Sequence, residues 1–167
     1  KTSGKQGTLE DDSSEMPVAT SGSVSSSDYS RLSTALKTGN EGKIVEAAAA
    51  ILGKNQNDIR VLNALAMYHF SKGRAGIAKM ILTRAMQVNK TDPALHNNVG
   101  VVVLSEGQIP AAMESFKRSL ASEKNHYESA ANLGALLVGN GDFEKARMYL
   151  GRAYNRSKAN VDMVIDY

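Results

Sequence analysis

The stretch NLGALLVGNGDFEKARMYLGRA, residues 132–153, decides how the chain is read. Two apolar, helix-like runs flank Gly141, and small residues stand at Gly134, Ala146 and Ala153. A lone pair of helices gives no reason for small residues at those places. Upstream segments of the same shape do. Residues 59–92 (IRVLNALAMYHFSKGRAGIAKMILTRAMQVNKTD), 93–126 (PALHNNVGVVVLSEGQIPAAMESFKRSLASEKNH) and 127–160 (YESAANLGALLVGNGDFEKARMYLGRAYNRSKAN) align without a gap. A weaker copy is 25–58, SSSDYSRLSTALKTGNEGKIVEAAAAILGKNQND. Gly39, Gly73, Gly107 and Gly141 therefore recur every 34 residues. Self-similarity at a fixed period of this size is the mark of a repeat array.

The register has a physical meaning. Counting each copy from its first residue, position 7 is large (Leu65, Val99, Leu133) and position 8 small (Ala66, Gly100, Gly134). Position 20 is Ala78, Ala112 and Ala146, position 24 is Leu82, Phe116 and Leu150, and position 27 is Ala85, Ser119 and Ala153. Large residues at helical spacing form a buried stripe. Small ones let two helices approach closely. The glycine at position 15 supplies the left-handed residue that ends a first helix. Asp92-Pro93 reads as an N-cap followed by proline at the first helical position. Helices of about 13 residues, about 20 Å long, are too short to persist alone. Stacking must hold them. The reading is all-α: a right-handed α-solenoid of stacked antiparallel helix pairs. The first copy has Arg31 at position 7 and reads as a divergent N-terminal repeat. The segment VDMVIDY, 161–167, reads as the start of a further helix in register.

Composition narrows the function. The chain has 167 residues, a net charge of +3 and no Cys or Trp. Disulfide and thiol chemistry are excluded, and no apolar run is long enough for a membrane span. With no dense Lys/Arg block, nucleic acid is not expected as a partner. Residues 1–27 are rich in Ser, Thr and Gly and read as a disordered tether. Lys1 and Lys5 face Glu10, Asp11, Asp12 and Glu15, so this arm is net −2 and residues 28–167 carry +5. His69, His96 and His126 form no metal-ligand spacing. His96 reads as a packed residue and His126 as a solvated turn residue. GNEGK at 39–43 lacks the spacing of a phosphate-binding loop. No catalytic residue, metal or cofactor is expected, and the chain does not read as an enzyme.

The period and its small and large positions resemble the tetratricopeptide repeat. The resemblance covers 59–158 well and 25–58 poorly. The family's Trp at position 4 is replaced by Leu62, His96 and Ala130, its Tyr at position 11 by His69, Val103 and Leu137, and its Pro at position 32 by Lys90, Lys124 and Lys158. The resemblance implies that the first helix of each pair lines a concave groove holding a protein or peptide. The implied groove residues are Arg60, Asn63, Met67 and Phe70; Asn97, Asn98, Val101 and Leu104; and Asn132, Ala135 and Val138. Asn98 and Asn132 fall on position 6, where an amide serves either an extended peptide ligand or a neighbouring helix. Charge is sparse along this face, which disfavours a ligand clamped by its carboxylate.

A tether followed by an array also loosely resembles bacterial lipoproteins of pilus assembly or gliding motility. That likeness implies a lipid anchor upstream of Lys1 and favours a periplasmic or outer-membrane-tethered setting over the cytoplasm. The alternative expectation is a self-assembling module that oligomerises through its C-terminal edge or its N-terminal arm.

Overall fold

The structure, a computed structural model, describes residues 22–165, with side chains for 22–156. Its helices are α1 (Ser26–Thr38), α2 (Glu41–Lys54), α3 (Ile59–Ser71), α4 (Ala75–Val88), α5 (Pro93–Ser105), α6 (Ile109–Ser122), α7 (Tyr127–Gly139) and α8 (Phe143–Ile165). No strand occurs among the described residues. The short links inside each pair make α1/α2, α3/α4, α5/α6 and α7/α8 hairpins. Each second helix packs on the first helix of the next pair, so the hairpins stack into one array.

Local chemistry places the helix ends at the expected period. Gly39, Gly73, Gly107 and Gly141 all have positive φ, between 66° and 77°, and turn the chain between the helices of a pair. The start of each first helix is capped by a side chain: Ser25, Asp58, Asp92 and His126 each accept from a backbone N–H in the first turn. At α1 the cap is reciprocal. Ser25 accepts from the Asp28 backbone N–H, and Asp28 accepts from that of Ser25. The Ser25 N–H, then the Lys54 ammonium and the Ser25 hydroxyl, hold the Asp28 carboxyl down at about 2.

This capping box moves a boundary. The expected tether ended at residue 27, yet Val24 already packs on the first core cluster and α1 begins at Ser26. The run SSSD is serine-rich because it caps a helix. Residues 1–21, and with them most of the expected disordered tether, lie outside the described residues.

Helix–helix contact depends on one steric exchange. A Cβ added to Gly100 would lie 2.5 Å from Phe116 Cε1, and one added to Gly134 would lie 2.7 Å from Leu150 Cγ. Position 8 is small because position 24 is large. Ala78, Ala85 and Ala112, at positions 20 and 27, are fully buried at the same interface. The first repeat inverts the exchange: Leu32 stands at position 8 and Ala48 at position 24, while Ile44 and Ile51 replace the alanines at positions 20 and 27. All four are buried in one cluster. What looked like divergence in the sequence is an exchange between positions 8 and 24, with two isoleucines adding bulk at positions 20 and 27.

One expectation fails at the other end. A separate helix starting at 161 requires a break after Arg156, where α2, α4 and α6 have their counterparts in Lys54, Val88 and Ser122. Instead α8 runs unbroken from Phe143 to Ile165. The segment 157–160, SKAN, has neither Gly nor Pro to stop it, and no helix among the described residues packs there to turn the chain aside.

The exchange is directly testable. Gly100→Ala adds overpacking of about 1–3 kcal/mol against a helix-propensity gain of about 1 kcal/mol, so denaturant unfolding should show a net loss. Phe116→Leu should relieve it: the double variant should be more stable than the sum of the single effects predicts, by at least ~0.5 kcal/mol. Additive losses would show that the two residues do not meet.

Candidate partner-binding groove

The first helices α3, α5 and α7 carry the expected groove residues at spacings of three and four, on one face of each helix. The structure treats these residues in three different ways.

The four asparagines come together. Asn98 Nδ2 donates to Asn63 Oδ1 at 2.8 Å, and Asn132 Nδ2 donates to Asn97 Oδ1 at 3.0 Å. Within α5, Asn97 Nδ2 donates to Asn98 Oδ1 at 3.2 Å. Position 6 of the third and fourth repeats thus bonds position 5 of the repeat before. Ser129, fully buried, donates to Asn97 Oδ1 at 3.0 Å and lies 2.7 Å from Ser119 Oγ. Of the two roles open to Asn98 and Asn132, the geometry shows the bond between neighbouring helices. Asn97 is buried, so its neighbours have no water to replace it.

Arg60 and the larger apolar groups are engaged by neighbouring side chains. The Arg60 guanidinium stacks over the Tyr29 ring at 4.0 Å and donates to its hydroxyl. The Tyr29 hydroxyl donates to Asp58, the buried cap of α3, and this bond raises the phenol's pKa. Tyr29 occupies position 5, the place of Asn63 and Asn97. Each junction is therefore tied from the same position by different chemistry. Phe70 packs on the second core cluster, and Val101 and Leu104 on the third. Met67 remains half-buried, Ala135 is exposed, and Val138 is 45% exposed. Of the expected apolar groove residues, these three pack on no core cluster.

The histidines are structural in different ways. His96 is buried with Nε2 2.8 Å from the Lys90 carbonyl oxygen, as expected for a packed residue. His126 is not a solvated turn residue. Its Nδ1 accepts from the Ser129 N–H and so caps α7. The clue was its place at position 34, shared with Asp58 and Asp92. Among the described residues no group of three or more metal-ligating side chains gathers, and no helix is long and apolar enough to cross a membrane.

No family model matches the chain, and no curated protein matches it in sequence. Solved structures share its fold. The crystal structure of MamA superposes with a TM-score of 0.63 at 17% identity, over 78% of this chain and 77% of that one. Pseudomonas aeruginosa pilF gives 0.67 at 21% identity, over 77% of this chain and 59% of that one. A chain of the APC/C hetero-tetramer Cut9–Hcn1 gives 0.67 at 22% identity; the match covers 80% of this chain but 28% of that one. The eight helices thus form a tetratricopeptide-repeat array, as the period implied.

The amide network makes a stability prediction. Asn97→Ala removes a partner from Asn132 Nδ2, Asn98 Oδ1 and buried Ser129 Oγ, which keeps its contact with Ser119, and should cost about 1–3 kcal/mol in urea unfolding. Asn98→Ala, at a half-exposed site that water can reach, should cost less. Equal and negligible losses would mean that the network does not join the repeats.

Proposed function

We propose that this tetratricopeptide array is a non-enzymatic scaffold whose concave groove holds an amphipathic helix of a partner protein. The observation that carries this reading is the internal use of the groove asparagines. An extended peptide brings unsatisfied backbone N–H and C=O groups to the surface it binds. Here the amides that could meet them are spent on each other. A helix satisfies its own backbone and needs only apolar contact, which Met67, Ala135 and Val138 offer. Micromolar binding requires about 8 kcal/mol after association costs. Apolar anchors at about 1.5–3 kcal/mol each reach that with several side chains on one helical face.

The test uses exposed groove positions rather than Phe70 or Leu104, which hold the core. The full chain and Met67→Glu/Ala135→Glu, matched for melting temperature, are used as bait, and a captured protein is titrated against both. Binding at least tenfold weaker to the variant, with helicity gained by the partner fragment, is expected. Equal binding would move the site off the groove, and an extended bound fragment would reverse the helix assignment.

The setting within the cell is part of the proposal. A bacterial envelope or motility assembly, with a lipid anchor upstream of Lys1, is supported by the resemblance to tethered arrays and by the shared fold with Pseudomonas aeruginosa pilF. An upstream coding sequence with a short apolar run ending in a small residue and Cys fits it; a hydrophilic upstream start does not.

A second reading, self-association through the C-terminal face, has its own support. Leu82 and Phe116 are 1% and 0% exposed at position 24, whereas Leu150 is 39% exposed; Tyr154, at the position of the half-buried Met86 and Leu120, is 65% exposed. Light scattering over a concentration series should show dimers that Leu150→Glu disperses. A monomer throughout would remove this reading.

A further inference from the structure

The hollows on the array follow the repeat. A 270 Å3 hollow has one wall from positions 7, 11 and 23 of the third repeat, Val99, Val103 and Ser115. Its opposite wall is α4, the second helix of the repeat before, with Lys79 and Thr83 at positions 21 and 25. A 500 Å3 hollow repeats this plan one unit later: Leu133, Leu137 and Tyr149 face Met113 and Lys117 of α6. The 420 Å3 hollow on the first repeat is lined by the same positions, Arg31, Ala35 and Ala47, with Lys43 and Glu46 beside them. Its lining comes from α1 and α2 alone. It is the slot that a preceding second helix would fill.

The slot's chemistry differs from that of its counterparts. Position 7 is Arg31 where the later repeats have Leu65, Val99 and Leu133. Arg31 pairs with Glu46 at 3.3 Å, and Glu41 pairs with Arg74. Lys37 and Lys43 make no ion pair among the described residues. The slot's floor is apolar, and two cations to one carboxylate stand along its edge; a wholly apolar helix leaves that edge unpaired, whereas a segment with carboxylates beside a short apolar run suits both edge and floor. The C-terminal face of a second copy does not suit it either, because Arg147 at position 21 of that face would meet Arg31 and Lys43.

We propose that the slot is occupied by Leu9–Val18 of the same chain, with Glu10, Asp11, Asp12 and Glu15 against the Arg31–Lys43 edge and Met16–Val18 over Ala35 and Ala47. The charge balance fits, since residues 1–27 are net −2. The reach fits as well. Gly22 lies beside Lys54, at the end of the hairpin where α1 starts. From Ser26 to Thr34 along α1 is about 12 Å, which about four extended residues cover. Residues N-terminal to Val18 can therefore lie along the slot.

The chain has no cysteine, so Thr8→Cys in the full chain gives a single spin-label site. The expected result is the strongest loss of amide NMR signal at Ala35, Thr38 and Ala47. Arg31→Glu/Lys43→Glu should restore those signals. Adding Glu10→Lys, Asp11→Lys, Asp12→Lys and Glu15→Lys to that variant should bring the loss back, which also shows that the reversed face still folds. Signal loss confined to Val24–Ser30 and unaffected by charge reversal would overturn the proposal in favour of a free tether. Loss centred on Met67, Asn98 and Ala135 would place the arm in the groove, and loss that grows with protein concentration would make the contact intermolecular; either outcome overturns it too.

Discussion

The structure depends on how closely two short helices can approach. At Gly100 against Phe116 and Gly134 against Leu150 there is no room for a single added carbon. That proximity lets each large residue at position 24 pack on bare backbone, and it sets the shape of the hairpin that the array repeats. Packing of this kind constrains the sum of two volumes, not either residue alone. The first repeat shows this, with Leu32 at position 8 and Ala48 at position 24 in one buried cluster.

The hairpins then need a means of holding register as they stack. Apolar contact is tolerant of sliding, but hydrogen bonds are not. The asparagines of α3, α5 and α7 bond across repeats with one residue of offset, position 5 to position 6, at 2.8 and 3.0 Å. The face that carries these asparagines is therefore part of the joint between repeats. Asn97 cannot be removed to alter binding without loosening the stack.

Much of this was legible in the sequence, and the parts that were not share a cause. Gly39, Gly73, Gly107 and Gly141 gave the turns because positive φ leaves little choice of residue. The cap at Asp92 and the small alanines of the second helices were readable for the same reason: one local requirement, few acceptable side chains. The groove was less legible, because an exposed position on a helix accepts many residues for many reasons. Arg60 was expected to face a ligand and instead stacks on Tyr29, which lies 31 residues away in the chain. The second repeat has Ala64 at position 6 in place of asparagine, and the tie at that junction comes from Tyr29 and Asp58. His126 acts as an acceptor at a site where its neighbours use carboxylates. Long-range pairings of unlike residues leave no periodic trace. The continuation of α8 past Arg156 was missed because the register of the repeat was extended beyond the last stop signal.

The joints between repeats are not alike, and this sets an order of events. Between the second, third and fourth repeats the tie is a run of amides continuous with buried Ser129 and Ser119. Between the first and second it is a tyrosine, a carboxylate and an exposed guanidinium, and α2 touches α3 more sparsely than α4 touches α5 or α6 touches α7. In a linear array each repeat is held only by its neighbours, so the weakest interface is the first to open. The molecule is then a chain of springs with one soft member. Thermal or mechanical load would detach the α1/α2 hairpin first, leaving three repeats and their groove intact.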